Sequence, residues 1–255
     1  MSEFIIVVLS LVLVVLLSSF PIRKFRIEHK DYDIFFIPEV LLNNFKGLVI
    51  SDCHLMKSLP ISLSLPAFIK DIKHLIDTES PTCMFILGDQ IQGGIAESHH
   101  FFAQFCTYLD CLGIPVFIIA GNHDRNVIHR YRNSHKSKVQ VIKQHVMCIE
   151  NQNAPDGTPK RLFFAHDFHD HPRLNPSEVV PWIRECKRVF SDIIDPEDFL
   201  FTGHTHTSVA VFNERFASVA PFSIDLNQRY YAIITMEPEF RISHKEHPGN
   251  FLVAQ

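Results

Sequence analysis

Glycine is scarce, 9 of 255 residues, and neither it nor the 15 prolines gathers into runs, which excludes collagen-like and low-complexity architectures. No unit of about 20 to 50 residues repeats along the chain, so it is not a solenoid. The six cysteines (Cys53, Cys83, Cys106, Cys111, Cys148 and Cys186) form no C-x-x-C pair, and neither a zinc knuckle nor a dithiol redox motif is signalled. An excess of positive charge is missing too: 24 Lys and Arg stand against 28 Asp and Glu, a net charge of −4. That balance supplies no broad cationic face for a nucleic-acid duplex, and there is no strong nucleic-acid signal. What is plentiful is apolar surface, 46% of residues, enough for one sizeable core and too little for two generous domains.

The N-terminus carries the one long hydrophobic run. From Phe4 to Phe20, 17 residues contain no charge and three serines, near the lower limit for crossing a hydrocarbon core of roughly 30 Å. Met1 to Glu3 lack the Lys or Arg of a secretory n-region, and Leu17, Ser18 and Ser19 make a poor cleavage site, so the segment reads as an uncleaved transmembrane helix. Arg23, Lys24, Arg26 and Lys30 follow it, which predicts a single-pass membrane protein with the domain that follows on the cytosolic side. The division that results is an anchor at 1–21, a linker and first edge strand at 22–46, and the main folded domain at 47–255.

Beyond the linker, short apolar runs alternate with amphipathic stretches. Strands are expected at 47–51, 82–87, 114–120, 161–165 and 198–202, with a late strand at 230–235. Helices are expected from about Glu97 to Leu112, stopped by Gly113, and from about Pro66 to Ile76, each with one apolar stripe. Residues 153–158 read as a turn. The alternation predicts an α/β fold.

Metal-capable residues follow directly on those strands: Asp52 and His54 after the first, Asp89 after the second, Asn122, His123 and Asp124 after the third, His166 after the fourth, His204 and His206 after the fifth. The carboxyl ends of strands in one α/β sheet share an edge, so residues just beyond them converge, and the intervals of 33 to 44 residues suit one crossover unit each. In extended chain, i and i+2 point the same way, so Asp52 with His54, and His204 with His206, can share a target. Two carboxylates, one amide and four imidazoles exceed what a single tetrahedral ion uses. Two ions use them all, and two ions roughly 3.5 to 4 Å apart clamp a phosphate and acidify a bridging water for in-line attack at phosphorus. Phosphoester hydrolysis is the natural chemistry.

The ordered set D-x-H, G-D, G-N-H-D, H, G-H-x-H, running from Asp52 to His206, resembles the calcineurin-like metallophosphoesterase superfamily. The resemblance implies a four-layer αββα sandwich and two divalent ions, Mn, Fe or Zn. It implies that Asp52, His54, Asp89 and His206 bind one ion, that Asp89, Asn122, His166 and His204 bind the other with Asp89 bridging, and that His123 protonates the leaving oxygen while the ions hold the attacking hydroxide. Asp124 is placed behind these ligands as a supporting residue. Such an enzyme hydrolyses a phosphomonoester, phosphodiester or pyrophosphate bond. The anchor turns attention to a nucleotide- or lipid-linked pyrophosphate, and a non-catalytic scaffold of the same fold is the reading from another class.

Two departures qualify the match. Where the superfamily's Ser/Thr protein phosphatases continue G-D-x-x-D-R-G, this chain reads Gly88, Asp89, Gln90, Ile91, Gln92, Gly93, Gly94. The acid that orients the catalytic histidine and the following arginine are both missing, which disfavours phosphoprotein phosphatase activity. The fourth block offers His166, His169 and His171, and His166 is chosen because it directly follows a strand. Arg125, Arg130 and Arg132, within a cationic stretch reaching Lys143, form a candidate substrate-phosphate site, although such runs are more commonly solvated faces. Trp182 and its helix read as ordinary packing.

Overall fold

A computed structural model describes residues 22–27, 30–37, 44–55, 61–92, 98–150, 159–168, 176–223, 228–236 and 240–247. The apolar run Phe4–Phe20 and the turn at 153–158 lie outside the described residues. Among the described residues, no helix is long and apolar enough to cross a membrane.

The fold is mixed α/β with two sheets, as the alternation of patterns requires. In the first sheet β3 (Lys46–Ile50), β4 (Cys83–Leu87), β5 (Val116–Ile119) and β6 (Val139–Ile142) run parallel. Antiparallel β13 (Gln228–Thr235) flanks β3, with β12 (Phe222–Ser223) and β14 (Arg241–Glu246) paired to β13. The second sheet is ordered β1 (Ile22–Ile27), β2 (Lys30–Ile37), β7 (Val146–Glu150), β8 (Arg161–Ala165), β9 (Phe199–Thr202), β11 (Phe216–Ser218), β10 (Val209–Val211). Residues 22–46 therefore hold the β1–β2 hairpin and the first residue of β3.

All five expected strands are present, and β4 is buried at every residue, which is why it reads as an unbroken apolar run. Helix α1 (Ile61–Glu79) starts five residues before the expected position, with Pro66 inside it. Proline removes one backbone bond, and burial of Leu65, Phe68, Ile72 and Leu75 at helical spacing outweighs that loss. Helix α2 (Ser98–Asp110) buries Phe101, Phe102, Phe105, Cys106 and Leu109, the expected stripe.

Three apolar clusters follow. One joins α1 and α2 to the outer face of the first sheet, and a second lies between the sheets, where the Phe85 ring stacks on Phe164 at 4.6 Å between centroids. The third seats helix α4 (Pro176–Val189), through Trp182, Ile183 and Cys186, on the outer face of the second sheet. Trp182 is thus a packing residue.

One expectation is corrected here. The five polar blocks do not lie along the edge of one sheet: β3, β4 and β5 carry the first three, while β8 and β9, parallel to each other, carry the last two from the second sheet. The interval from Asn122 to His166 is not one crossover unit, because it contains the short helix α3 (Arg125–Arg130), β6 and β7, and the chain changes sheets within it. Packing the sheets face to face brings the two edges together.

Candidate metal centre

The site is built where the chain leaves β3, β4, β5, β8 and β9. The loops after β3 and β4 stay paired past the strand ends, through Asp52 N–H to the Gly88 carbonyl (3.1 Å), His54 N–H to the Asp89 carbonyl (2.9 Å) and Leu55 N–H to the Gln90 carbonyl (3.0 Å). Asp52, His54, Asp89, His204 and His206 all adopt left-handed backbone, with φ between 46° and 59°. Residues with a Cβ pay roughly 1–2 kcal/mol each for that conformation. Gly88, at φ +82°, has no alternative: a Cβ there would lie 2.4 Å from His166 Nδ1.

Two groups of donors result. In the first, His206 Nε2 lies 3.2 Å from Asp52 Oδ1 and 3.4 Å from His54 Nε2, and His54 Nε2 lies 3.8 Å from Asp52 Oδ1. In the second, His166 Nε2 lies 3.1 Å from Asn122 Oδ1, 3.1 Å from His204 Nδ1 and 3.5 Å from Asp89 Oδ2. Asp89 Oδ2 also lies 4.0 Å from His54 Nε2 and 3.9 Å from His123 Nε2, so this carboxylate stands between the groups. Asp52, His54, Asp89 and His166 are buried, whereas Asn122, His123 and His206 are exposed. The cluster has a fixed floor and an open mouth.

Hydrogen bonds around the cluster aim it. Leu87 O accepts from His166 Nδ1 at 2.7 Å, which fixes the tautomer and leaves the Nε2 lone pair facing Asp89 and Asn122. His204 N–H donates to Asp52 Oδ2 (2.9 Å), and His123 N–H donates to Asp89 Oδ1 (2.8 Å). Ser51 Oγ stands 2.6 Å from Asp52 Oδ2 and 2.7 Å from the Leu87 carbonyl. Asp124 is buried and accepts from Gln90 N–H (2.7 Å) and Gly121 N–H (2.8 Å), tying the loop that carries Asp89 to the loop that carries Asn122 and His123.

Electrostatics follow from burial and crowding. Burial opposes ionisation of Asp52, yet His206, His166 and Ser51 hold its pKa down at about 2. Burial outweighs the pull of Asp89 and Asp52 on His54 and lowers it to about 4, leaving a neutral imidazole at pH 7. His204 is lowered by burial and by His166. Burial works against protonation of His166, but Asp52, Asp89 and the Leu87 carbonyl raise its pKa. Asp124 is pushed up to about 7 by burial and by Asp89.

The donors present fit divalent cations. Asp52 Oδ1 is buried without a hydrogen-bond partner, and Asp52–His54–His206, Asp89–His166–His204 and His54–Asp89–His123 each bring one donor atom apiece within 4.8 Å of one another. Oxygen and imidazole nitrogen aimed at common points are what Mn, Fe and Zn accept.

All seven residues singled out as ligands, with His123, thus gather in one place. His169 and His171 lie outside the described residues. The arginines are not drawn into this cluster: Arg125 contacts His145, Arg130 approaches His99, and Arg132 is exposed. Sequence reasoning missed Ser51, for which no motif exists, and Gln92, whose Nε2 lies 3.0 Å from His123 Nδ1. The spacing of Gln92 from Asp89 was the available signal.

Among curated proteins no sequence relative is found. Solved structures similar to this chain include a phosphoesterase, Yfce, from E. coli (18% identity over 80% of this chain and 100% of that one, TM-score 0.43). A dimetal phosphatase from Danio rerio (10% identity, 80% and 96% covered, TM-score 0.48) and the nuclease MPE from Pseudomonas putida (13%, 86% and 84%, TM-score 0.39) are others. The family model for calcineurin-like phosphoesterases matches residues 45–208, more than half of the chain and the whole span from β3 to the loop after β9. With that match over the segment that supplies every donor, the chain belongs to the calcineurin-like phosphoesterase family, dinuclear metal-dependent hydrolases of phosphoric esters.

Proposed function

We propose that the chain hydrolyses a phosphomonoester, phosphodiester or pyrophosphate bond at a two-ion centre in which Asp52, His54, Asp89 and His206 hold one ion and Asp89, Asn122, His166 and His204 the other. The observation that carries this reading is the position of Asp89 Oδ2, within 4.0 Å of ring nitrogens of His54, His166 and His123 together. Bound there, two divalent ions supply Lewis acidity toward phosphate oxygens and lower the pKa of water.

The chain's own residues do the rest. The buried Asp52, His54, Asp89 and His166 would hold the ions at fixed positions, and the exposed face of Asn122, His123 and His206 is where an ester enters. Water adds to phosphorus as the bond to the leaving oxygen breaks, and that bond's electron pair goes to the leaving oxygen. His123 Nε2 gives that oxygen its proton, and the proton released by the attacking water restores the imidazole.

The anchor reading extends the proposal. Residues 1–21 tether residues 47–255 to the cytosolic side of a membrane, which favours a nucleotide- or lipid-linked pyrophosphate as substrate. Support comes from the uncharged run Phe4–Phe20 and from Arg23, Lys24, Arg26 and Lys30 after it.

The test is a screen on the detergent-solubilised full chain reconstituted with Mn, with p-nitrophenyl phosphate, bis-p-nitrophenyl phosphate and a lipid-linked diphosphate side by side. Metal-dependent turnover that falls in His123→Ala, by about 10²- to 10⁴-fold on the ester with the poorest leaving group and less on the p-nitrophenyl esters, supports the mechanism. Two bound ions with no turnover of any ester would overturn it.

A further inference from the structure

His123 lacks the acid that its motif ordinarily supplies, and its ring is poorly held by packing. The side chain is 38% exposed, and the His54 ring touches it edge-on at 5.2 Å between centroids. Its backbone N–H is bound to Asp89, which fixes the main chain and leaves the ring torsions free. The only described side-chain hydrogen bond to the ring comes from Gln92, whose Nε2 lies 3.0 Å from His123 Nδ1.

Gln92 is well placed to act on that ring. Its own backbone is pinned, with N–H donating to the Leu55 carbonyl at 2.9 Å beside the Leu55–Ile91 bridge, and its carbonyl accepting from Ser98 Oγ at 3.4 Å. It stands three residues after Asp89, the place where the resemblance puts the protein phosphatases' orienting acid, which this chain lacks. Its Oε1 is buried with no hydrogen-bond partner, so the side chain makes its one described polar contact with His123. A carboxylate at this place only accepts. An amide carries donor and acceptor on the same plane, and a half-turn that presents Oε1 to Nδ1 exchanges the contact from Nε2 for one from Oε1 and breaks no other described hydrogen bond. The contact is kept whichever ring nitrogen holds the proton.

We infer that Gln92 is a positioning residue for His123, holding the imidazole so that Nε2 faces Asp89 and the departing oxygen. The inference rests on the assignment of His123 as the acid, and the test separates the two. Full-length Gln92→Ala, Gln92→Met, Gln92→Glu, His123→Ala and the Gln92→Ala/His123→Ala double variant are assayed on p-nitrophenyl and phenyl esters, as mono- and diesters. Metal content is measured by elemental analysis. Long-range 1H–15N spectra are recorded, with the His123 ring signals identified by their loss in His123→Ala.

Gln92→Ala and Gln92→Met, the latter filling the space without a hydrogen bond, are expected to lose about 10- to 100-fold in kcat on phenyl esters. The loss is far smaller on p-nitrophenyl esters, KM and metal content are unchanged, and the His123 Nδ1 shift moves. The double variant is no slower than His123→Ala, and Gln92→Glu, which keeps an acceptor, regains most of the rate. A loss equal for both leaving groups, additive with His123→Ala, or accompanied by lost metal overturns the role of Gln92 alone. If His123→Ala itself shows no dependence on leaving group, the acid assignment falls and takes this inference with it.

Discussion

Replacing Gly121 by alanine isolates the geometry on which ion binding depends. Gly121 does not use left-handed backbone, so an added methyl carries no conformational penalty there, only a steric one. A Cβ at this position would lie 2.0 Å from Asp89 Oδ1, 2.3 Å from Asp89 N and 2.7 Å from Asp89 Cγ. Rotating the side chain relieves the first and third contacts but not the second, so either the loop after β4 or the loop after β5 must move. Ordinary contact begins at 3.4 Å, and closing the deficit at Asp89 N requires about 1.1 Å of displacement, against a tolerance of about 0.2 Å in ligand distances. Overpacking of this kind is expected to cost roughly 1–3 kcal/mol of stability, and ion affinity falls by at least about tenfold. Gly113→Ala is the control: at φ +82° with nothing within 4 Å, it pays the backbone penalty of roughly 1–2 kcal/mol and leaves binding alone. Urea unfolding gives the stabilities and calorimetric titration with Mn²⁺ the affinities. Wild-type Mn²⁺ affinity in folded Gly121→Ala would refute the reasoning.

Other perturbations reach different parts of the molecule. Asp89→Asn keeps the shape but removes the charge shared by both donor groups, and elemental analysis is expected to show loss of both ions, with activity down by at least about 10²-fold. At the end of α1, Glu79 accepts from Tyr231 Oη (2.9 Å) and Lys245 Nζ (2.6 Å), with Lys46 Nζ 3.7 Å away. Burial alone would raise its pKa, but Lys245, Tyr231 and Lys46 bring it below the usual glutamate value of 4.5. The stability this supplies is fully present above about pH 4.5 and is lost as pH falls through the lower folded value. Urea unfolding of Glu79→Ala should show a loss of roughly 1–3 kcal/mol at pH 7, because the Tyr231 hydroxyl is left without its partner, and a shallower fall toward acid. Protease protection of sealed membranes containing the intact chain should leave residues 47–255 digestible from the cytosolic side; protection from that side would reverse the proposed orientation.

The fold was legible wherever burial is two-sided. Strands such as β4 and β8 present apolar runs that end abruptly in Asp, Asn or His, and the stripe Phe101–Phe102–Phe105–Leu109 marks α2 without ambiguity. Convergence of the blocks was legible too, but through the wrong geometry. Sequence spacing suggests one sheet edge, whereas the site lies across two sheets, because nothing local in β6 and β7 announces that the chain changes layer between them. The residues that cluster were readable because metal chemistry limits the side chains that serve. Their supports were not: Ser51 acts through a hydroxyl with no spacing rule, and Gln92 acts through an amide common on any surface. The five left-handed positions in the cluster carry no glycine signal, since the strain falls on Asp and His themselves.

The central claim is that Asp89 stands between two cations gathered by side chains from both sheets. A crystal structure of the Mn-loaded protein with anomalous diffraction locates those cations directly. The account predicts two peaks roughly 3.5 to 4 Å apart, both in reach of Asp89, one beside Asp52, His54 and His206 and the other beside Asn122, His166 and His204. A single peak, or two that share no ligand, would contradict it.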